Sequence, residues 1–333
     1  MLTINPSQIL FVCSLLLGTS IAVSSSSWFS AWLGLELNLM SFIPLISSKY
    51  NTYSSEAALK YFLIQALGSA IILSSAPSQA LLLIKPELMI LCALLLKMGA
   101  APVHFWFPPV MQGISWIQCS ILMTIQKVAP MLLLSYLTSS MINITFITAS
   151  SMISSLIGAL GGLNQTLIRK LMAYSSINHM AWMLAAINLN IKIWFNYFLI
   201  YSIVSVSVVF VMHNQQLFHL NQTSGLTHKS TLTNLATLMS MLSLGGLPPF
   251  LGFLPKMLVV LSMTTSSLII WLAVLLSSAL ITLFYYLRLT LNTLALSSPK
   301  LKPLITTANS GFLMIIFINF SPLLSPLVWL LGT

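Results

Sequence analysis

The chain has 333 residues, 58% hydrophobic and only 5% charged, with a formal net charge of +10. Such a composition excludes a soluble globular domain. The thirteen basic residues are scattered along the whole length, which excludes the clustered basic face of a nucleic-acid binder.

Apolar stretches of about twenty residues, each long enough to cross a hydrocarbon core roughly 30 Å thick, recur from Ile9 to Leu331. The fold class is therefore an all-α polytopic membrane protein; a transmembrane barrel would show short alternating segments instead. The first stretch follows Met1 without a basic n-region or small-residue cleavage site, so no cleavable signal is expected. In chain order the spans read as 7–23, 27–46, 54–76, 86–109, 113–136, 143–163, 170–188, 193–217, 231–262, 266–290 and 305–329, eleven in all. Short turn-forming connections such as 24–27, Pro77-Ser78, 161–165 and 297–299 separate them. Cys13, Cys92 and Cys119 lie far apart without CxxC spacing and are expected to be buried thiols. Asn143, Asn164 and Asn221 open short Asn-x-Thr patterns that read as chance matches.

With alternate loops on opposite sides, one side collects Lys49, Arg169, Lys170, Lys229, Arg288, Lys300 and Lys302, and the other only Lys85 and Lys192. The basic bias marks the inner side of a membrane and puts the N-terminus there, with the C-terminus opposite. The other four lysines, Lys60, Lys97, Lys127 and Lys256, fall within spans.

Spans four and nine each set a lysine beside a Gly/Pro cluster: Lys97-Met-Gly-Ala-Ala-Pro102-Val-His104, and Gly245-Gly-Leu-Pro-Pro249 followed by Pro255-Lys256. Proline removes a backbone donor and clashes with the preceding turn. Freed backbone groups at membrane depth survive only where protein or a water-filled cavity covers them. Interrupted helices at matching places in two halves point to inverted repeats with an ion path at the break. The offset is five spans, so a first repeat at 1–136, a second at 143–290 and a final helix at 305–329 account for the chain.

A charge at the centre of a membrane helix costs roughly 2.5–3.5 kcal/mol, and such residues line ion paths or pair with one another. Glu36, in Trp32-Leu-Gly-Leu-Glu36-Leu-Asn38, is either a structural glutamate or a carboxylate that modulates Lys97. An opposite charge nearby favours a charged lysine, and its withdrawal favours the neutral amine. A buried lysine that responds in this way is a proton relay. Lys127 lies too deep to snorkel to an interface, whereas the depth of Lys256 is open by a turn or more. His104 is either a hydrogen-bonded core group or a relay beside the first break. Glu56 and Lys60, at i, i+4 with glutamate first, form a structural pair. His179 reads as polar glue, and His213, His219 and His228 as parts of a solvated loop. No GxGxxG, P-loop or metal-ligand spacing is present, and none of the serines has a base placed by spacing.

Several stretches together resemble the subunit 2 family of animal mitochondrial NADH dehydrogenase, the antiporter-like membrane subunits of respiratory complex I. They are 32–38, Ser55-Glu56-Ala-Ala-Leu-Lys60-Tyr-Phe, 97–108, Gln126-Lys127-Val-Ala-Pro130, Gly161 through Arg169-Lys170 to His179, and Leu242 to Lys256. The resemblance implies two inverted five-helix repeats with discontinuous helices and kinship to bacterial subunits that carry three further N-terminal helices. It implies a polar axis for proton translocation, with Glu36 and Lys97 as a pair, Lys127 central, Lys256 distal and His104 after the first break. It further implies that NADH, FMN, iron–sulfur clusters and ubiquinone bind other subunits. The implied partners are other complex I membrane subunits, including the other antiporter-like ones, together with lipid and a structural phospholipid, and no nucleic acid. The implied location is the mitochondrial inner membrane, N-terminus in the matrix and C-terminus in the intermembrane space. Pro109 and Ala181 depart from the family pattern, away from the axis. Two other readings fit the same residues, a stand-alone cation/proton antiporter and a non-pumping bridge subunit.

Overall fold

The computed structural model describes residues 6–47, 51–78, 86–224, 231–294 and 310–320. Among them the secondary structure is helical, with one isolated bridge between Leu167 and His219. The chain divides into two compact units, Met1–Ser150 and Ser151–Thr333.

In the first unit, α1 (Pro6–Ser24) and α2 (Trp28–Ile46) form a hairpin with the most extensive helix contact among the described residues. Ser27 and Ser30 close a reciprocal cap at the start of α2, which satisfies backbone donors that lipid could not. A Cβ at Gly34 would come within 2.5 Å of the Ala22 backbone nitrogen. Close backbone approach through small residues replaces the hydrophobic effect as the packing force in a bilayer. Next come α3 (Thr52–Ser78), α4 (Pro86–Met98), α5 (Phe107–Gly113), α6 (Trp116–Met123) and α7 (Ile125–Ser135). The α3 helix packs on α2, α4 and α5, and α7 on α1 and α4. The division between the units falls within α8 (Met141–Gly162).

The second unit holds α9 (Ile168–Leu189), α10 (Ile191–Gln215), the short α11 (Asn221–Ser224), α12 (Thr231–Gly245), α13 (Phe253–Thr265), α14 (Ile269–Leu294) and α15 (Ser310–Phe320). The α9 helix is buried over most of its length and contacts α10, α13 and α14. At its N-terminal end Ile168 donates to the Phe218 carbonyl (3.0 Å), Leu220 to Thr166 (3.0 Å), and the Arg288 guanidinium to Gln165 (3.0 Å). Arg169 lies 4.7 Å from the centre of the Phe218 ring.

Among the described residues, seven helical stretches, with α6 and α7 taken together as one, are long and apolar enough to cross a membrane. Their outward faces carry large apolar side chains such as Leu63, Leu280 and Phe284, the surface expected where hydrocarbon is the solvent. Cys13 and Cys92 lie on such exposed faces and only Cys119 is buried, which corrects the expectation of three buried thiols. The many serines are accounted for by local bonding: Ser154, Ser175, Ser176 and Ser240 each donate to the carbonyl three residues back. The anticipated breaks are present, since α4 ends at Met98 with α5 starting at Phe107, and α12 ends at Gly245 with α13 starting at Phe253. Span five is also broken, at Thr124, where a continuous helix was expected. Lys49, Lys85, Lys229, Lys300, Lys302 and His228 lie outside the described residues.

Candidate functional site

The α4 helix stops because Gly99 adopts φ +73°, a left-handed conformation that side chains disfavour. The Ala100 N–H then reaches back to the Leu95 carbonyl (3.0 Å) and the Gly99 N–H to Leu96 (3.1 Å), the six-to-one and five-to-two bonds of a Schellman turn. Side chains add two further bonds to carbonyls of the last turn. Gln65 Nε2 donates to the Lys97 carbonyl (3.1 Å), and Trp106 Nε1 donates to the Leu96 carbonyl (3.1 Å). The Lys97 side chain, in the last turn of α4, is 7% exposed and its stem packs on Gly68 of α3. Its main-chain polar atoms are thus held by neutral partners, which leaves the ammonium to the interior.

Lys127 follows the Thr124 break. Thr124 has φ −112° and ψ −80°, outside the helical basin, and its hydroxyl donates to the Ser120 carbonyl (2.7 Å). Pro130, inside α7, has no N–H to offer the carbonyl four residues back. Lys127 is 2% exposed, and its Nζ lies 5.1 Å from the centre of the Phe107 ring. A charged amine over an aromatic face gains some electrostatic support. Phe107 is the first residue of α5, so the break in span four sets the surroundings of the lysine in span five.

Lys97 and Lys127 line one internal cavity of about 20 Å³ together with Asn38, Tyr61, Gln65 and Gln126. A water needs about 10–15 Å³ and two to four polar partners, and the cavity meets both conditions. Glu36 is half-buried on α2. Among the described residues it forms no contact ion pair with Lys97, and Glu36 Oε2 is buried without a hydrogen-bond partner. His104 is 5% exposed and its Nδ1 lies 3.3 Å from the Pro102 carbonyl; it is not among the cavity-lining residues. Glu56 and Lys60 pair on the exposed face of α3 (2.5 Å), as expected for a structural pair.

The second unit repeats the turn. Gly246 has φ +74°, its N–H bonds Ser243 (3.1 Å), and the Leu247 N–H bonds Leu242 (3.4 Å). Here the covering donor is a lysine: Lys256 Nζ donates to the Gly245 carbonyl (2.8 Å) and lies 5.9 Å from the Trp182 ring centre. His179 Nδ1 lies 3.0 Å from the Tyr197 hydroxyl, in agreement with its reading as polar glue.

Residues 25–84 and 74–282 match the family described as NADH:quinone oxidoreductase/Mrp antiporter, TM. The chain belongs to that family. It is 47% identical over 300 residues to NADH-ubiquinone oxidoreductase chain 2 of Anopheles gambiae, covering 87% of each. It is 44% identical over 330 residues to the chain 2 of Aedes aegypti, covering 96% of each. A chain in the structure of respiratory complex I from Thermus thermophilus with bound aureothin superposes with a TM-score of 0.84 at 26% identity, covering 97% of this chain and 79% of that one.

Within this antiporter-like family member, residue order alone passed over four side chains at the cavity: Asn38, Tyr61, Gln65 and Gln126. Their only signal was polarity within an apolar stretch. Sequence reasoning also passed over Glu87, in the first turn of α4, which accepts from Asn143 Nδ2 (3.0 Å). Asn143 is 1% exposed, which fits the dismissal of its glycosylation pattern.

Proposed function

We propose that the chain is a membrane-arm subunit of a proton-translocating NADH:ubiquinone oxidoreductase, and that Glu36, Lys97, Lys127 and Lys256 carry protons through it, with His104 beside the first break. The observation that carries this reading is the shared cavity: two lysines thirty residues apart, on different helices, face one polar space large enough for water. Family membership supplies the assembly. Redox chemistry with NADH, FMN, iron–sulfur clusters and ubiquinone takes place on other subunits, and the energy arrives here as a change in charge along the lysine/glutamate row, beginning with Glu36 and Lys97. The chain crosses the mitochondrial inner membrane eleven times as two inverted five-helix repeats plus a final helix. Its Arg169/Lys170 end faces the matrix, which puts the N-terminus in the matrix and the C-terminus in the intermembrane space. Other antiporter-like subunits and structural phospholipid surround it.

The test is Lys127→Met in the assembled complex, reconstituted in vesicles. Methionine keeps the length of the side chain and removes the titrating group. Coupled NADH oxidation should fall by roughly tenfold or more, as for loss of a proton-transfer group, and the proton-to-electron ratio should fall with it. Wild-type stoichiometry in an assembled variant would leave a bridging role. Recovery of an active chain outside any large redox assembly would point to a stand-alone antiporter.

A further inference from the structure

Three amides, Asn38, Gln65 and Gln126, and a phenol sit with Lys97 and Lys127 at the cavity, and the Gln126 amide is half satisfied. The Tyr61 hydroxyl donates to Gln126 Oε1 (3.3 Å), while Gln126 Nε2 is buried without a hydrogen-bond partner. A buried amide donor left unpaired costs about 1–3 kcal/mol, and Gln126 lines a polar space that can hold a water. Gln65 and Tyr61 come to the same space from α3, with Tyr61 fixed edge-on against Phe42 (5.2 Å) and Trp106 (5.9 Å). Tyr61 is 2% exposed, so its ring cannot swing away and the Gln126 amide is held by its oxygen end.

We propose that Gln126, oriented by Tyr61, holds a bridging water between Lys97 and Lys127 and is a positioning residue for proton passage between them. The proposal rests on the reading of these lysines as proton carriers. A water oxygen that accepts from Gln126 Nε2 keeps a second lone pair and two protons for the lysines. In the transfer step, the ammonium on one side gives a proton to this oxygen while the water gives one of its own protons to the free amine on the other side. One proton moves, one lysine is neutralised, the other becomes charged, and the water is unchanged. Gln126 itself neither gains nor loses a proton. Neutral amides suit this task, because a carboxylate there would hold one lysine permanently charged.

The experiment compares Gln126→Leu, Gln126→His and Tyr61→Phe with Lys127→Met in the assembled complex in sealed vesicles. It reads coupled NADH oxidation, the proton-to-electron ratio and the solvent deuterium isotope effect, with the amount of complex measured on native gels. Gln126→Leu should slow coupled turnover by roughly tenfold, as for one lost hydrogen bond at a transfer step, and enlarge the isotope effect. Gln126→His, which keeps a donor and an acceptor, should restore most of the rate. Tyr61→Phe, which keeps the ring, should slow turnover less and in the same sense. If Gln126→Leu does not assemble, Tyr61→Phe decides by the same readouts. Wild-type turnover and isotope effect in the glutamine and tyrosine variants, with Lys127→Met impaired, would overturn the water bridge and leave the lysine reading intact. Wild-type behaviour of Lys127→Met as well would overturn both.

Discussion

In the first unit the chain leaves α4 through Gly99, and in the second it leaves α12 through Gly246, with φ of +73° and +74° and matching pairs of backbone bonds. The carbonyls exposed by these turns are covered by different chemistry. Gln65 and Trp106 serve the first break, whereas Lys256 serves the second. A neutral cap leaves Lys97 independent of the backbone turn beside it. A lysine cap joins the two functions, because the side chain that would exchange a proton also satisfies the turn. The difference separates structural from functional cost: the same lysine-to-methionine change should act on coupling alone in one unit and on both coupling and stability in the other.

The glycines give the largest expected effect and the sharpest contrast. A side chain at either position meets an unfavourable φ, at about 1–3 kcal/mol. At Gly99 a Cβ would also stand 3.2 Å from Phe107 Cβ and 3.3 Å from the Trp106 ring, which are short-tethered groups with little room to move. At Gly246 it would stand 2.9 Å from Lys256 Cδ and 3.0 Å from its Nζ, the far end of a flexible chain. Gly99→Ala should therefore act mainly on the yield and heat stability of the assembled complex. Gly246→Ala should displace Lys256 from Gly245 and lower the proton-to-electron ratio even in the fraction that assembles. Equal ratios in the two assembled variants would break the contrast.

The lysines follow. Lys256→Met removes the donor to the Gly245 carbonyl, at about 1–3 kcal/mol for a buried group left unsatisfied. Lys97→Met leaves the Gln65 bond in place, because that bond ends on the main chain of residue 97. Both variants should lose coupled turnover, but only Lys256→Met should also lower the unfolding temperature of the complex. A matching loss of heat stability in Lys97→Met would show that the first break depends on its lysine too.

The two Gly/Pro breaks were legible in the sequence because glycine and proline act on the backbone at their own positions. The break at Thr124 was not, since a threonine is no helix breaker and the nearest proline, Pro130, comes six residues later. The lysines were legible as costly residues in apolar stretches, whereas their shared cavity depends on tertiary packing. Gln65 and Gln126 escaped notice because their roles depend on tertiary contact: Gln65 meets the carbonyl of a residue thirty-two positions away. Cys13 and Cys92 were misplaced for a related reason. In a membrane protein the lipid-facing and core-facing sides of a helix are both apolar, so hydropathy shows that a residue is within a span and not which way it faces.

The smallest expected effect belongs to Glu36, which forms no contact ion pair with Lys97 among the described residues. Glu36→Gln keeps the size of the side chain and removes its charge, while the backbone turn at Gly99 keeps all its bonds. Coupling between neighbouring groups of this kind is worth about 0.5–1 kcal/mol at the low end, or roughly two- to fivefold in coupled turnover. Assembly and heat stability should stay at wild-type level. If Glu36 acts through the same proton path as the lysines, adding Glu36→Gln to Lys127→Met should lower turnover no further than Lys127→Met alone. Fully multiplicative losses in the double variant would place Glu36 on a separate route, and the first break would then hold its lysine without help from α2.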